Sequence, residues 1–459
     1  LKQFATKSVL VLGLGETGLA MVRWLSAQGA RLRVADSRLM PPGVDEVSRL
    51  VSPEQIFCGP FDEALFAGID LVAISPGVAV ADPHVARAIA RGISVVGDIE
   101  LFAQQMQNSG CGAKIIAITG SNGKTTVTSL VEHMCRACGR DAVAAGNISP
   151  AVLDVVLQRG EHQPAIWVLE LSSFQLETTY SLQVDAATVL NISEDHLDRY
   201  QGMADYAAAK QNILNGCRVQ VLNRDDARCM SMQDTQRELI SFGLNLPVAT
   251  TDFGILSDNS EIWLMEGNQR LIKASELKLA GLHNVANALA ALALCRAIDL
   301  PMPVLLEALR SFKGLPHRVE KVVQLHDVTF YDDSKGTNVG ATVAALQGLG
   351  SKAVLIAGGQ GKAQDFSPLK SAVTKYARAV ILIGQDAPLL AATLQGCDVA
   401  ILYAVDMQDA VQQAAGIALP GDAVLLSPAC ASLDMYKNYV HRAEAFIEAV
   451  RKLAESWPH

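Results

Sequence analysis

Residues Ile118-Thr119-Gly120-Ser121-Asn122-Gly123-Lys124-Thr125-Thr126 decide how this chain is read. The apolar run Ile115 to Ile118 has the make-up of a buried strand. A helical pattern through Leu130, Val131 and Met134 follows the Lys-Thr pair. Only small polar residues and glycines lie between the two. That arrangement suits a nucleotide triphosphate. Glycines let backbone N–H groups approach phosphates, the helix N-terminus adds a positive field, and lysine adds a mobile charge. A hydroxyl beside the lysine can sit on Mg²⁺. The loop is shorter than the usual G-x-x-x-x-G-K-[ST] pattern, because Ile118 stands where the first glycine belongs. Gly120, Ser121, Asn122, Gly123, Lys124, Thr125 and Thr126 are the candidate phosphate contacts. The plain alternative is a βα turn with an exposed lysine.

The whole chain bounds what surrounds this loop. Its 459 residues suggest about three domains at roughly 150 residues each. Half the residues are hydrophobic, 5% are aromatic, and Ala, Val, Leu and Gly abound, a balance that suits α/β layers around parallel strands. A net charge of −9 argues against broad attraction to nucleic acid or an anionic membrane. Nine cysteines without framework spacing fit reduced, cytoplasmic thiols. Cys135 and Cys138, with His133 nearby, end the helix after the loop. With no second pair to complete a zinc site, they read as helix packing. Ser8 to Gly15 reads as a buried strand and not a signal peptide. No apolar run is long enough to span a membrane.

Three nucleotide-sized units emerge. The first, residues 1–101, has strands at Ser8–Leu12 and Leu32–Ala35 around a helix at Thr17–Gln28. Gly13-Leu14-Gly15-Glu16-Thr17-Gly18 joins the first strand to the helix, and Asp36 closes the second strand. This is a Rossmann-like layout, suited to a pyrophosphate and a ribose hydroxyl. A further strand, Leu71 to Ser75, ends in Ser75-Pro76-Gly77. The second unit, 102–314, holds the phosphate loop and strands at Ala165–Leu169 and Ala186–Leu190. Polar, metal-competent segments follow both strands, from Glu170 to Glu177 and from Asn191 to Asp198. A hairpin near Ile262–Met265 and Arg270–Ile272 marks a small β subdomain, and a helix returns from His283 to Ala297. The third unit, 315–459, has strand-like runs at Val328–Tyr331, Val354–Ala357, Val380–Ile383 and Ala423–Leu426, again Rossmann-like. Short joints near Gly97–Leu101 and Gly314–Arg318 would let domains close over a cleft.

In this order the motifs resemble those of the Mur ligase family across nearly the full chain. The matching stretches are Gly120–Thr126, Glu170–Glu177, Asn191–Arg199 and His283-Asn284 with Asn287. They continue with Gly314–Arg318, Asp333-Ser334-Lys335 with Thr337-Asn338, and Ser427–Asn438. The resemblance implies an ATP-dependent amide ligase that joins D-glutamate to UDP-N-acetylmuramoyl-L-alanine through an acyl phosphate. That is a cytoplasmic step of peptidoglycan synthesis, carried out here by a monomer.

The resemblance also assigns roles. Lys124 would hold the β and γ phosphates, and Thr125 and Glu170 one Mg²⁺. His196 would bind a second ion, with Lys210 as a carbamate supplying an oxygen ligand of the kind Mg²⁺ prefers. Asn147, Asn287, Arg318, Asp333 and Lys335 complete the ATP set, Asn287 on the adenine side and Asp333 at the ribose. Lys124, His196, Lys210 and Lys335 form the catalytic group. D-glutamate would meet Thr337, Lys362, Ser432 and Tyr439, and Lys362 would pair with its side-chain carboxylate. The UDP portion would use Gly15, Glu16, Thr17, Gly18, Asp36, Arg38 and Ser75. The chain departs from the family pattern at Ser149, where glycine is common, and at Tyr439, where phenylalanine is common. Glu16 is awkward beside a pyrophosphate unless its carboxylate points away.

Three rivals stand against this reading. A sibling ligase would share the ATP chemistry, but Lys362 and Ser427–Asn438 favour D-glutamate. An NAD-dependent oxidoreductase would explain Gly13–Gly18 and leave Lys124, Glu170 and His196 idle. A non-catalytic nucleotide-binding protein would not need cations from three domains.

Overall fold

The computed structural model describes residues 4–456 except 197, 198, 260, 280, 362 and 363. It contains three sheets. The first is built from β1 (Ser8–Leu12), β2 (Arg31–Asp36), β3 (Ile56–Cys58), β4 (Leu71–Ile74) and β5 (Ser94–Val96). All are parallel, in the order β3-β2-β1-β4-β5. Val9 to Leu12 are fully buried because helices cover both faces of this central strand. The order reverses between β1 and its neighbours, so a crevice opens at the carboxyl ends of β1 and β4.

The second sheet has nine strands: β6 (Lys114–Thr119), β7 (Ala142–Gly146), β8 (Ile166–Glu170), β9 (Val184–Val189), β10 (Cys217–Asn223), β11 (Glu238–Phe242), β12 (Phe253–Asp258), β13 (Glu261–Glu266) and β14 (Gln269–Lys273). Their order is β14-β13-β12-β11-β10-β9-β6-β8-β7. Strands β6 to β12 pair in parallel, while β13 runs antiparallel between β12 and β14. The expected small β subdomain is thus the antiparallel end of the same sheet. Strand β6, which feeds the phosphate loop, lies between β8 and β9, so all three polar segments leave the sheet side by side. The helix Leu282–Ala297 covers one face and is apolar all round; Ala288 to Cys295 are fully buried. Such a helix belongs inside a core, and it packs on the loop's own helix, Lys124–Ala137. Cys135 lies in this core, Met134 meets Cys295 at 3.8 Å, and all nine cysteines are free.

The third sheet runs β15-β16-β20-β17-β18-β19, from β15 (Glu320–Leu325), β16 (Val328–Asp332), β17 (Ala353–Gly358), β18 (Ala377–Ile383), β19 (Ala400–Tyr403) and β20 (Ala423–Leu426). Only β15 is antiparallel. The joint expected at Gly97–Leu101 is the start of a helix, Asp98–Ser109, whose first turn is buried. No helix among the described residues is long and apolar enough to cross a membrane.

Candidate active site

The phosphate loop takes its shape from the segment after β9. Asn191 clamps Asn122 from both sides, accepting from its N–H at 2.8 Å and donating to its carbonyl at 3.0 Å. Ser121 Oγ donates to the Ser193 carbonyl at 2.9 Å and accepts from the Ser193 N–H. Gly123 starts the helix at φ 86°, a region that favours glycine. Lys124 Nζ curls back to donate to the carbonyls of Gly120 and Ser121 at 2.8 and 3.0 Å. Burial lowers its pKa, against the pull of Glu170 and Asp195.

A cavity of about 360 Å³ lies between this loop and the third sheet. Asn122, Gly123, Thr126, Asn287, Arg318, Asp333 and Lys335 line it, so most of the expected ATP set converges from two lobes. Arg318 Nη2 donates to Thr125 Oγ1 at 2.8 Å, a contact across 193 residues. The Lys335 ammonium lies 3.9 Å from the centroid of the Tyr439 ring. Burial pushes the Asp333 carboxyl up to about 7, although Ser427 Oγ donates to it at 2.7 Å and Arg318 lies nearby.

Glu170 is 2% exposed; its Oε1 accepts from Asn147 Nδ2 at 2.7 Å, while its Oε2 is buried and has no hydrogen-bond partner among the described residues. An orphaned carboxylate oxygen is costly unless a cation faces it. Lys210 is 1% exposed, donates to the Gly120 carbonyl at 3.0 Å, and lies 4.6 Å from the centroid of the Tyr206 ring. Burial drives its pKa well down, and the nearby Lys124 charge adds to the shift. His196 has φ 57° and packs edge-on to Phe174 with centroids 4.8 Å apart.

A second cavity of about 500 Å³ lies between the first and second sheets. Gly15, Glu16, Thr17, Asp36, Arg38 and Ser75 line it, as do Asn147 and Ser149. Asn147, expected at ATP, thus stands on this cavity's wall and reaches the other site through Glu170. Gly18 packs against the Gly13 carbonyl: a Cβ there would come within 1.8 Å of it. Burial pushes the Asp36 carboxyl up, yet hydrogen bonds from Arg38 and from the Leu14 N–H outweigh this and leave it at about 2. Glu16 accepts from Ser149 Oγ at 2.7 Å on the wall of this cavity. Two of the three residues that looked out of place in the sequence are therefore each other's partners.

Thr337 is half-buried beside Lys335, Ser432 is 4% exposed, and Tyr439 begins the last helix, Tyr439–Ser456. Lys362 lies outside the described residues. Sequence reasoning missed two arginines. Arg442, 1% exposed, donates to Ser334 Oγ, the Ser334 carbonyl and the Cys430 carbonyl, joining the last helix to the segments that carry Lys335 and Ser432. Arg199 donates to the carbonyls of Pro76 and Val78, both at 2.8 Å, and stacks 4.1 Å from the Phe174 ring centroid.

A phosphate loop facing a cavity lined by Arg318 and Lys335 marks a nucleotide-binding protein of modular, three-sheet build, and comparison with known proteins places it. Residues 7–97 match the MurD-like N-terminal domain of Mur ligases, 118–295 the Mur ligase middle domain, and 317–430 the Mur ligase glutamate ligase domain. The chain belongs to the Mur ligase family of ATP-dependent ligases. It is 57% identical over 456 residues to the UDP-N-acetylmuramoylalanine--D-glutamate ligase of Nitrosomonas europaea, covering 98% of this chain and 97% of that protein. The ligase of the same name from Methylobacillus flagellatus is 56% identical, with 98% of each chain covered. Among solved structures, a pseudomurein peptide ligase type C from Methanothermus fervidus aligns with a TM-score of 0.61 at 19% identity, covering 98% of this chain and 100% of that one. A UDP-N-acetylmuramate-alanine ligase from Thermotoga maritima aligns at 0.60 and 18%, covering 97% and 99%. These two share the fold.

Proposed function

We propose that this chain joins D-glutamate to UDP-N-acetylmuramoyl-L-alanine at the expense of ATP, acting as a monomer in the cytoplasm. The observation that carries this reading is the cavity in which the phosphate loop and Asn287 of the second sheet face Arg318, Asp333 and Lys335 of the third. The names of relatives at 52–57% identity supply the substrates. In this assignment residues 1–101 hold the UDP portion, 102–314 hold ATP, and 315–459 hold the amino acid.

A carboxylate acylates an amine poorly. Transfer of the γ-phosphoryl group turns it into an acyl phosphate; the amine of D-glutamate attacks, and phosphate leaves as the amide forms. The first step brings anions together. One pair of like charges about 4 Å apart costs roughly 4 kcal/mol at an effective dielectric near 20. Lys124, Arg318 and Lys335 offset that repulsion. The donors also fit hard divalent cations. Glu170 offers a buried oxygen without a partner, and a cation, Arg318, already lies on Thr125. Thr125, Glu170, His196 and a carbamylated Lys210 would hold Mg²⁺, two ions in all, which supply countercharge to the phosphates and the acceptor carboxylate. Burial keeps the Lys210 amine poised to be neutral, the form that adds carbon dioxide and releases a proton. Asn287 reads the adenine side, Asp333 the ribose, and Thr337, Lys362, Ser432 and Tyr439 meet D-glutamate. Gly15, Thr17, Asp36, Arg38 and Ser75 meet the UDP portion.

The test is phosphate release from protein, Mg²⁺, ATP and UDP-N-acetylmuramoyl-L-alanine, with each candidate amino acid in turn. Release that depends on D-glutamate is expected. Release with another amino acid only, or with none, rejects the assignment.

A further inference from the structure

We infer that Asn338 is a positioning residue that latches the amino-acid lobe onto the phosphate loop; this rests on the ligase reading above. Asn338 caps the helix Val339–Gly348, and its Oδ1 accepts from the Ala341 N–H at 2.9 Å. That leaves its amide free to donate elsewhere. Nδ2 donates to Asn122 Oδ1 at 3.0 Å, across 216 residues, and reaches Asp195 Oδ2 at 3.5 Å. One side chain therefore fixes a helix of the third sheet with its oxygen and reads two segments of the second sheet with its nitrogen. The side chain is buried, at 6% exposure.

A separate observation supports the same contact. Gly340, in the first turn of that helix, lies so close to the loop that a Cβ would stand 3.0 Å from Asn122 Nδ2 and 3.2 Å from Ser193 Oγ. The helix end thus seats directly on the loop, and glycine gives the clearance. Asn122 is itself locked by Asn191 and donates to Ser193 Oγ at 3.2 Å. Thr337, expected at D-glutamate, is the neighbour of Asn338. Seating of the latch therefore places the amino-acid contacts and the phosphate loop in one fixed relation. The lobe that would hold the UDP portion makes no part of it.

Asn338→Ser separates the two jobs. Serine caps helices about as well as asparagine, but is too short to reach Asn122. Gly340→Ala leaves the cap and the amide intact and obstructs the seating. Both variants are expected to raise KM for D-glutamate about tenfold, within the usual range of coupling between sites. KM for UDP-N-acetylmuramoyl-L-alanine should stay within about twofold, and the melting temperature should not move. Small-angle X-ray scattering on the ligand-free proteins should give a larger radius of gyration for both variants than for the parent. Unchanged D-glutamate KM, equal shifts for both substrates, or a fall in melting temperature that accounts for the loss would overturn the latch. If the parent itself releases no phosphate with D-glutamate, the functional reading fails, and the scattering comparison alone decides the latch: equal radii reject it.

Discussion

The two cavities of this molecule handle charge in opposite ways. Between the first and second sheets, charged groups already have partners within the wall: Asp36 the Arg38 guanidinium, and Glu16 the neutral Ser149 hydroxyl. Between the second and third sheets the matching is incomplete. Lys124 and Arg318 both have lowered pKa values because burial opposes their charge, and Glu170 keeps one oxygen with no partner. Buried charge without its complement is expensive, so in the proposed function the second cavity is the one that a polyanion and its metal ions would complete. The first can recognise a diphosphate through backbone N–H groups and shape. Loss of a charge should therefore cost less in the first cavity than in the second.

The strongest way to break that contrast is Lys124→Ala. Turnover should fall by at least about 10³-fold, the scale set by removal of a positioned charge from a dry site. The circular dichroism spectrum should be that of the parent. Near-normal rates would remove the phosphate role.

Asp98 sharpens the contrast, because it is an acid beside the first cavity that no cation matches. Gln175 Nε2 donates to it at 3.1 and 3.3 Å, and burial pushes its carboxyl up to about 6. With the folded value above an unfolded one near 3.9, its contribution to stability is full below about pH 4 and is lost as pH rises through 6. Asp98→Asn should therefore stabilise the protein at pH 8 by up to about 3 kcal/mol and leave it unchanged at pH 4. Urea titrations at the two pH values check this; an equal gain at both would place the effect elsewhere.

Within the matched wall, Arg38→Ala should raise KM for the UDP substrate about tenfold while kcat holds, since the freed Asp36 carboxylate then faces the diphosphate. A fall in kcat with KM unchanged would contradict that. The smallest change is expected from Ser149→Gly. Glu16 loses a hydroxyl partner, and the same KM should rise about two- to threefold, in line with one modest hydrogen bond. A fall in KM would show that the serine obstructs the pocket.

Much of this was legible in the sequence, and the omissions share a cause. Strands rich in Val, Ile and Leu, such as Ser8–Leu12 and Ala423–Leu426, announce themselves. Ala142–Gly146 is buried on both sides yet is only alanine, valine and glycine, which carry little strand signal. Ile56–Cys58 is an edge strand of three residues, too short to carry a pattern, and Ala400–Tyr403 is an edge strand that is apolar in sequence yet short and half open to water. In the site, residues whose chemistry is local to a loop were readable from that loop. Arg199, Arg442 and Asn338 were not, because each acts on partners more than a hundred residues away or buried under another helix. Glu16 and Ser149, which looked like blemishes when read singly, make sense only as a pair.

The guanidinium resting on Thr125 has a last consequence. The crevice beneath the loop is never electrically bare. If Thr125 and Arg318 have the roles proposed for them, a metal–nucleotide complex would draw Arg318 off the threonine to a phosphate oxygen, so loading would exchange one positive charge for another. On the same assignment, nucleotide without its metal would engage the arginine yet leave Glu170 facing it, like charge against like, so the site would disfavour the uncomplexed nucleotide before any chemistry begins.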